Sequence, residues 1–169
     1  MRSLPDPGFA GDDGAAAPAL VEALRAYDRD PERLHDATLA VIQQQRLLVP
    51  VVAMLGEVEH GDGGLAREKS SDMAAVLMRG RDGRTALLTF TSTDTLHRWN
   101  PQARPVPVLA ATAAEAAVAD HASALLVDVA GPVTFVVEGD DLRALAAGEV
   151  LVRLGDEVSD RYGWVKPAR

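Results

Sequence analysis

The sequence predicts an α/β (α+β) protein: a single mixed β-sheet of about five to seven strands with helices packed on it. Three observations carry that prediction. Apolar residues recur at helical spacing near the start of the chain. Short Val- and Leu-rich runs bounded by Gly, Pro and Asp follow. From Ser92 onward, helical and strand patterns alternate, giving the order α-α-β-β-β-α-β-α-β-β-α. A chain of 169 residues fits one domain with a sizeable core. Aromatic residues are only 4% against 47% hydrophobic, so that core rests on Ala, Val and Leu, which favour close helix-to-sheet packing.

Residues 1 to about 15 are rich in Gly, Pro and Asp and read as a flexible arm, with residues 16–169 forming the single domain. Leu20, Ala23, Leu24 and Tyr27 make the inner face of a first helix from Pro18. Asp30 caps a second helix and Pro31 suits its first position, where the missing N–H has no partner to lose. Leu34, Thr38, Val41 and Ile42 form its apolar face. The run from Leu47 to Leu55 reads as a buried strand, and Pro50 is expected near its start or at an edge.

Asp72 to Arg79 and Thr85 to Thr91 are expected as an antiparallel pair, because Asp82-Gly83 is a strong hairpin turn. Ser92 or Asp94 caps a short helix through Trp99, which Pro101 ends. Val106 to Leu109 is a short strand, and Pro107 places it at an edge or a strand end. Thr112 and Glu115 have the spacing of a capping box opening an Ala-rich helix to about His121. Leu125 to Val127 and Val133 to Val137 read as antiparallel strands joined at Gly131-Pro132. Asp140 is expected to cap a last helix, Leu142 to Ala147, stopped by Gly148. Gly163, Trp164 and Val165 are the main apolar group of the tail, which has room for one more strand.

Composition excludes several functions. The net charge of −8 argues against nucleic-acid binding and against anionic membrane surfaces, since both rely on Lys and Arg. There is no cysteine, hence no disulfide, thiolate nucleophile or thiolate metal site. No signal core or membrane span is evident, so a cytoplasmic location is expected.

Candidate chemistry is sparse. Glu57, Glu59, His60 and Asp62 are the densest group of metal-type ligands, but their spacing matches no known loop pattern and a solvated strand end explains them. The Gly61 to Gly64 run lacks the Lys-Ser/Thr ending of a phosphate loop. Ser92 serves better as a helix cap than as a nucleophile, and no nucleophile-elbow motif is present. Asp140 and Asp141 suit a helix N-terminus electrostatically. His97 and His121 read as surface or capping residues. Asp128 lies at a strand end, where α/β sheets border crevices, although a turn role before Gly131-Pro132 also fits. Trp99, flanked by Arg98 and Arg104, is either a plug for a small-residue core or a contact hot spot.

Lys69 to Ala74, Ala86 to Ser92, Leu96, Trp99, Ala103 to Val108, Leu126 to Asp128 and Ala130 to Pro132 together resemble the N-terminal domain of the SseB family over roughly residues 33 to 147. Leu4 to Asp13 is similar to the actinobacterial branch. The resemblance implies an α/β domain, with no agreed activity, cofactor or catalytic residue to carry over.

The expectation is therefore a non-enzymatic binding or regulatory module without a cofactor. Its contact surface is placed at Leu96, Trp99, Arg104 and Pro105, facing a protein partner or a second copy of the chain. The alternative is a small-molecule-binding protein or unrecognised hydrolase, with a pocket at the strand ends near Ser92 and Asp128 and with Asp72 as a further candidate lining residue.

Overall fold

The computed structural model describes residues 9–53, 73–155 and 160–168. Among them are five helices and nine strands: α1 (Pro18–Arg29), α2 (Pro31–Ile42), β1 (Arg46–Ala53), β2 (Met73–Ala75), β3 (Leu77–Arg79), β4 (Thr85–Thr89), α3 (Thr93–Trp99), β5 (Arg104–Leu109), α4 (Ala110–Ala119), β6 (Ala124–Val127), β7 (Phe135–Glu138), α5 (Gly139–Ala146), β8 (Val150–Leu154) and β9 (Arg161–Val165). No helix among them is long and apolar enough to cross a membrane.

The mixed α/β class stands, but the strands form three ladders rather than one sheet. Their orders are β2-β1-β5, β3-β4-β6-β7 and β8-β9. The physical reason lies in a strand that changes partners. Residues 73–75 pair antiparallel with β1, whereas residues 77–79 pair antiparallel with β4. Val76, between them, turns its carbonyl to Leu88 N–H of β4 at 3.1 Å. Beyond that break the two ladders meet once, where Leu48 and Phe90 exchange both backbone hydrogen bonds at 2.8 Å.

This geometry corrects the placement of Pro50. It stands inside β1, directly opposite Pro105, and not at the strand's start or at an edge. Leu48 turns its N–H and C=O away from β5 towards Phe90, and Pro50, two residues on, shares that direction. The direction points at the gap left where Val76 abandons β1, so the absent N–H breaks no ladder bond. The same parity turns Pro105 and Pro107 towards the free edge of β5. Of the two placements expected for this strand, the edge is the one observed among the described residues, and its outer side lacks two donors.

The β4 ladder separates two cores. Leu87, Leu125, Val127, Phe135 and Val137 face α1, α2, α4 and α5, where Leu20, Leu39, Ile42, Leu142 and Leu145 complete the larger cluster. Ala110, Ala113, Ala114 and Ala117 of α4 are fully buried, the close approach that small side chains permit. On the opposite face Leu48, Leu88, Phe90, Leu96 and Ala103 form a second cluster beneath α3.

Local rules explain most of the helix ends. Asp30 accepts a hydrogen bond from Arg33 N–H, with Pro31 at the start of α2. Ser92 and Thr95 form a reciprocal capping box on α3. Two expected caps are corrected. The helix expected to open at Thr112 begins at Ala110 after Leu109, with no side-chain cap, because β5 runs directly into it and buries Ala110. Helix α5 follows Glu138, and Asp140 lies in its first turn, paired with Arg143 instead of capping. Gly148 follows its end at φ 75°, where glycine is favoured.

Candidate functional site

Among the strand pairs described, β4 and β6 are the one parallel pair. In α/β sheets, ligands bind in crevices beyond the carboxyl ends of such strands. Here those ends are Thr89 and Val127, followed by Thr91-Ser92 after β4 and by Asp128 after β6. A crevice with a cavity volume of 410 Å³ opens there, a size suited to a small ligand. Its floor is Thr91, Ser92, Thr95 and Asp128, and its walls come from α1, α3, the segment before α1, and Pro132-Val133.

Asp128 explains how this end of the fold is held. Its carboxylate is only 3% exposed. Oδ1 accepts from Thr91 N–H at 2.8 Å and from the Thr95 hydroxyl at 2.7 Å; Oδ2 accepts from the Thr91 hydroxyl at 2.6 Å. Asp128 N–H in turn donates to Thr89 O at 3.0 Å. A buried charge is tolerable only when hydrogen bonded in this way. The backbone at Asp128 has φ 57°, a left-handed conformation that Asp tolerates better than most residues. Asp128 therefore clamps the end of β6 to the start of α3, uniting the turn and strand-end roles considered from the sequence.

Ser92 is occupied as well. Its Oγ accepts from Thr95 N–H at 3.1 Å and donates to the Thr95 hydroxyl at 3.2 Å. These are helix-capping contacts, and they give the hydroxyl no general base. The Ser92–Asp128 neighbourhood thus contains the expected concavity, with its side chains engaged in holding the fold.

The segment preceding α1 builds a wall of the crevice through Ala15 and Ala16. Arg46 anchors it. The guanidinium grips both oxygens of Asp12 and also donates to Ala15 O at 2.7 Å and to Thr91 O. Gly14 O accepts from Thr93 N–H at 2.8 Å, satisfying a free donor at the start of α3. The hydrogen bond from Arg46 foremost, aided by Gly14 N–H and the Arg46 charge and opposed by desolvation, holds the Asp12 carboxyl below its ordinary range.

The surface expected at Leu96, Trp99, Arg104 and Pro105 divides. Leu96 is fully buried and belongs to the second core, where it cannot touch a partner. Trp99 is half-buried, its ring 5.6 Å from that of Phe90 and tilted by 33°. Arg104 and Pro105 are exposed on β5, and Arg104 makes no ion pair among the described residues. Arg98 instead lines the crevice. His97 and His121 are exposed. Glu57, Glu59, His60, Asp62, Gly61 to Gly64 and Asp72 lie outside the described residues.

One polar group escaped the sequence reading. His35 stacks on Phe135 at 4.9 Å, with Nε2 3.3 Å from Val136 O and Nδ1 3.3 Å from Asp36 Oδ1. Asp141 Oδ2 lies 3.9 Å from the same nitrogen, and Asp141 Oδ1 accepts from Trp164 Nε1–H at 2.9 Å. These three are the one group of metal-type ligands among the described residues. The His35–Phe135 stack ties α2 to β7, the approach of Asp141 to His35 brings α5 to α2, and the Trp164 bond ties β9 to α5. Residues so distant in the chain left no local signal.

Comparison with known proteins gives one result of substance. The family model described as SseB protein N-terminal domain matches residues 20–157. No curated protein and no solved structure matches the chain.

Proposed function

The chain belongs to the SseB family, and from that premise we propose that it is a ligand-binding module whose site is the crevice beyond β4 and β6. The observation that carries this reading is the coincidence of the 410 Å³ crevice with the carboxyl ends of the parallel pair. The side chains on its floor support binding over catalysis. Asp128 is buried and engaged by three donors, and Ser92 is engaged in its cap, so neither is poised as a base or a nucleophile. Residues 16–169 are the binding domain, and the arm ahead of it contributes through the anchored Asp12 region.

The test compares a set of small fragments by saturation-transfer NMR on the native protein and on Ala16→Trp, which fills the crevice from its exposed wall. Fragments that bind the native protein should lose their signal on the variant. Retention of every fragment by a folded Ala16→Trp protein would overturn the reading.

A second reading, contact with a protein or with another copy, is favoured by the outer end of β5. Arg104, Pro105, Val106 and Leu109 are all exposed there, Leu109 at 54%. It predicts that Arg104→Ala weakens self-association measured by sedimentation, whereas the crevice reading predicts no change.

A further inference from the structure

We infer that the crevice selects a small organic anion, a carboxylate or phosphate carried on a short apolar body. The inference rests on the crevice being the ligand site and follows from asking which of its polar groups remain free to bind anything.

The floor has little to give. The Thr91 and Thr95 hydroxyls donate to Asp128, and Ser92 Oγ both accepts from and donates to Thr95. Asp128 itself accepts three hydrogen bonds and is 3% exposed. What remains are groups at the mouth. Arg25 on α1 and Arg98 on α3 line it from two different walls, and both are exposed. Among the described residues neither guanidinium has a hydrogen-bond or ion-pair partner; Arg29 Nε donates to the backbone carbonyl of Arg25 and leaves its side chain untouched. Asp94 is the third charged group at the mouth, exposed and likewise without a side-chain partner.

In formal charge Arg25 and Arg98 are matched by Asp94 and Asp128, but Asp128 is buried and turned to Thr91 and Thr95, so at the mouth two free guanidiniums face one free carboxylate and N–H donors are in excess. Guanidinium groups bind carboxylate and phosphate oxygens through paired N–H donors, the strongest neutral-pH recognition of an anion available to a side chain. The remaining lining, Ala15, Ala16, Val21, Leu24, Pro132 and Val133, is apolar and suits a hydrocarbon body. A volume of 410 Å³ accommodates a ring or short chain bearing such a head group. The overall charge of −8 opposes anions at long range, but physiological salt screens that field beyond about 8 Å, so the two local arginines decide the outcome.

The experiment titrates the native protein with benzoate, phenyl phosphate and the neutral benzyl alcohol, following amide shifts by NMR. The two anions should move the signals of Thr91, Ser92, Thr95 and Val133 and bind at least tenfold more tightly than the alcohol. Their relative affinity distinguishes a carboxylate from a phosphate head. The double variant Arg25→Gln/Arg98→Gln, with an unchanged unfolding midpoint, should lose at least tenfold in anion affinity and none for the alcohol. Equal affinity for alcohol and anions at the crevice would overturn the anion assignment and leave the crevice reading intact. Anion binding unaltered in the double variant would overturn it too. Shifts from none of the three probes at the crevice would overturn both.

Discussion

Replacing Asp128 tests how the site is built. Asp128→Ala removes the acceptor of Thr91 N–H, the Thr91 hydroxyl and the Thr95 hydroxyl in a place that is 3% exposed. A buried donor left without a partner costs about 1–3 kcal/mol, and the hydroxyls can rotate towards other acceptors, Ser92 O standing 3.1 Å from the Thr95 hydroxyl. Alanine at φ 57° adds about 1 kcal/mol of backbone strain. The expected loss is therefore about 2–4 kcal/mol, which for a chain of this size lowers the thermal midpoint by roughly 4–16 °C. Asp128→Asn keeps one acceptor oxygen and tolerates the left-handed backbone, so its loss should be about 1–2 kcal/mol. Urea titrations of both variants at neutral pH measure these values. A loss below about 0.5 kcal/mol for Asp128→Ala would refute the clamp, because exposed, unengaged residues behave that way.

Further outcomes follow from other contacts. Trp99→Ala should destabilise the fold by about 2–4 kcal/mol, as a half-buried ring on Phe90 loses its packing; anion binding measured on the folded fraction should persist. Gly14→Ala drives a methyl into Thr93 Oγ1 at a backbone φ of 79°, so it should loosen the anchored segment, seen as faster amide exchange at Thr93. For Asp12, whose folded carboxyl lies below its unfolded value, the contribution of the Arg46 contact is complete above about pH 4 and fades as pH falls through the folded value. Asp12→Asn should flatten that part of the urea-midpoint curve below about pH 4, and an unchanged acid limb would contradict the anchor. Replacing Pro105 and Pro107 together by Thr supplies two N–H donors to the free edge of β5 and should promote self-association on sedimentation.

The features readable in the sequence were those with local causes. Asp30-Pro31, Asp82-Gly83 and Ser92 act within a few residues of themselves, and the structure uses each as expected. The Thr112-Glu115 spacing misled because a capping box describes one turn, whereas the helix start was set by β5 running into the buried Ala110. The division into ladders depends on Val76 exchanging β1 for β4, and Pro50 can be placed only once that exchange is known. The crevice was foreseeable at Ser92 and Asp128 because strand ends border crevices. Its walls were not: Ala15, Ala16 and Arg25 reach it from the other end of the chain, through Arg46 and α1. Leu96 and Trp99 drew attention as a distinctive local group, yet their burial is decided by Leu48, Leu88 and Phe90 on strands that pack against α3 only in the folded chain.

The most direct test of the central claim is an amide shift map of the native protein with the fragments that bind it. The account predicts movements centred on Thr91, Ser92, Thr95, Asp128 and Val133, with Arg104 to Leu109 undisturbed. Shifts confined to Trp99 and Arg104 to Leu109, with the crevice silent, would contradict it.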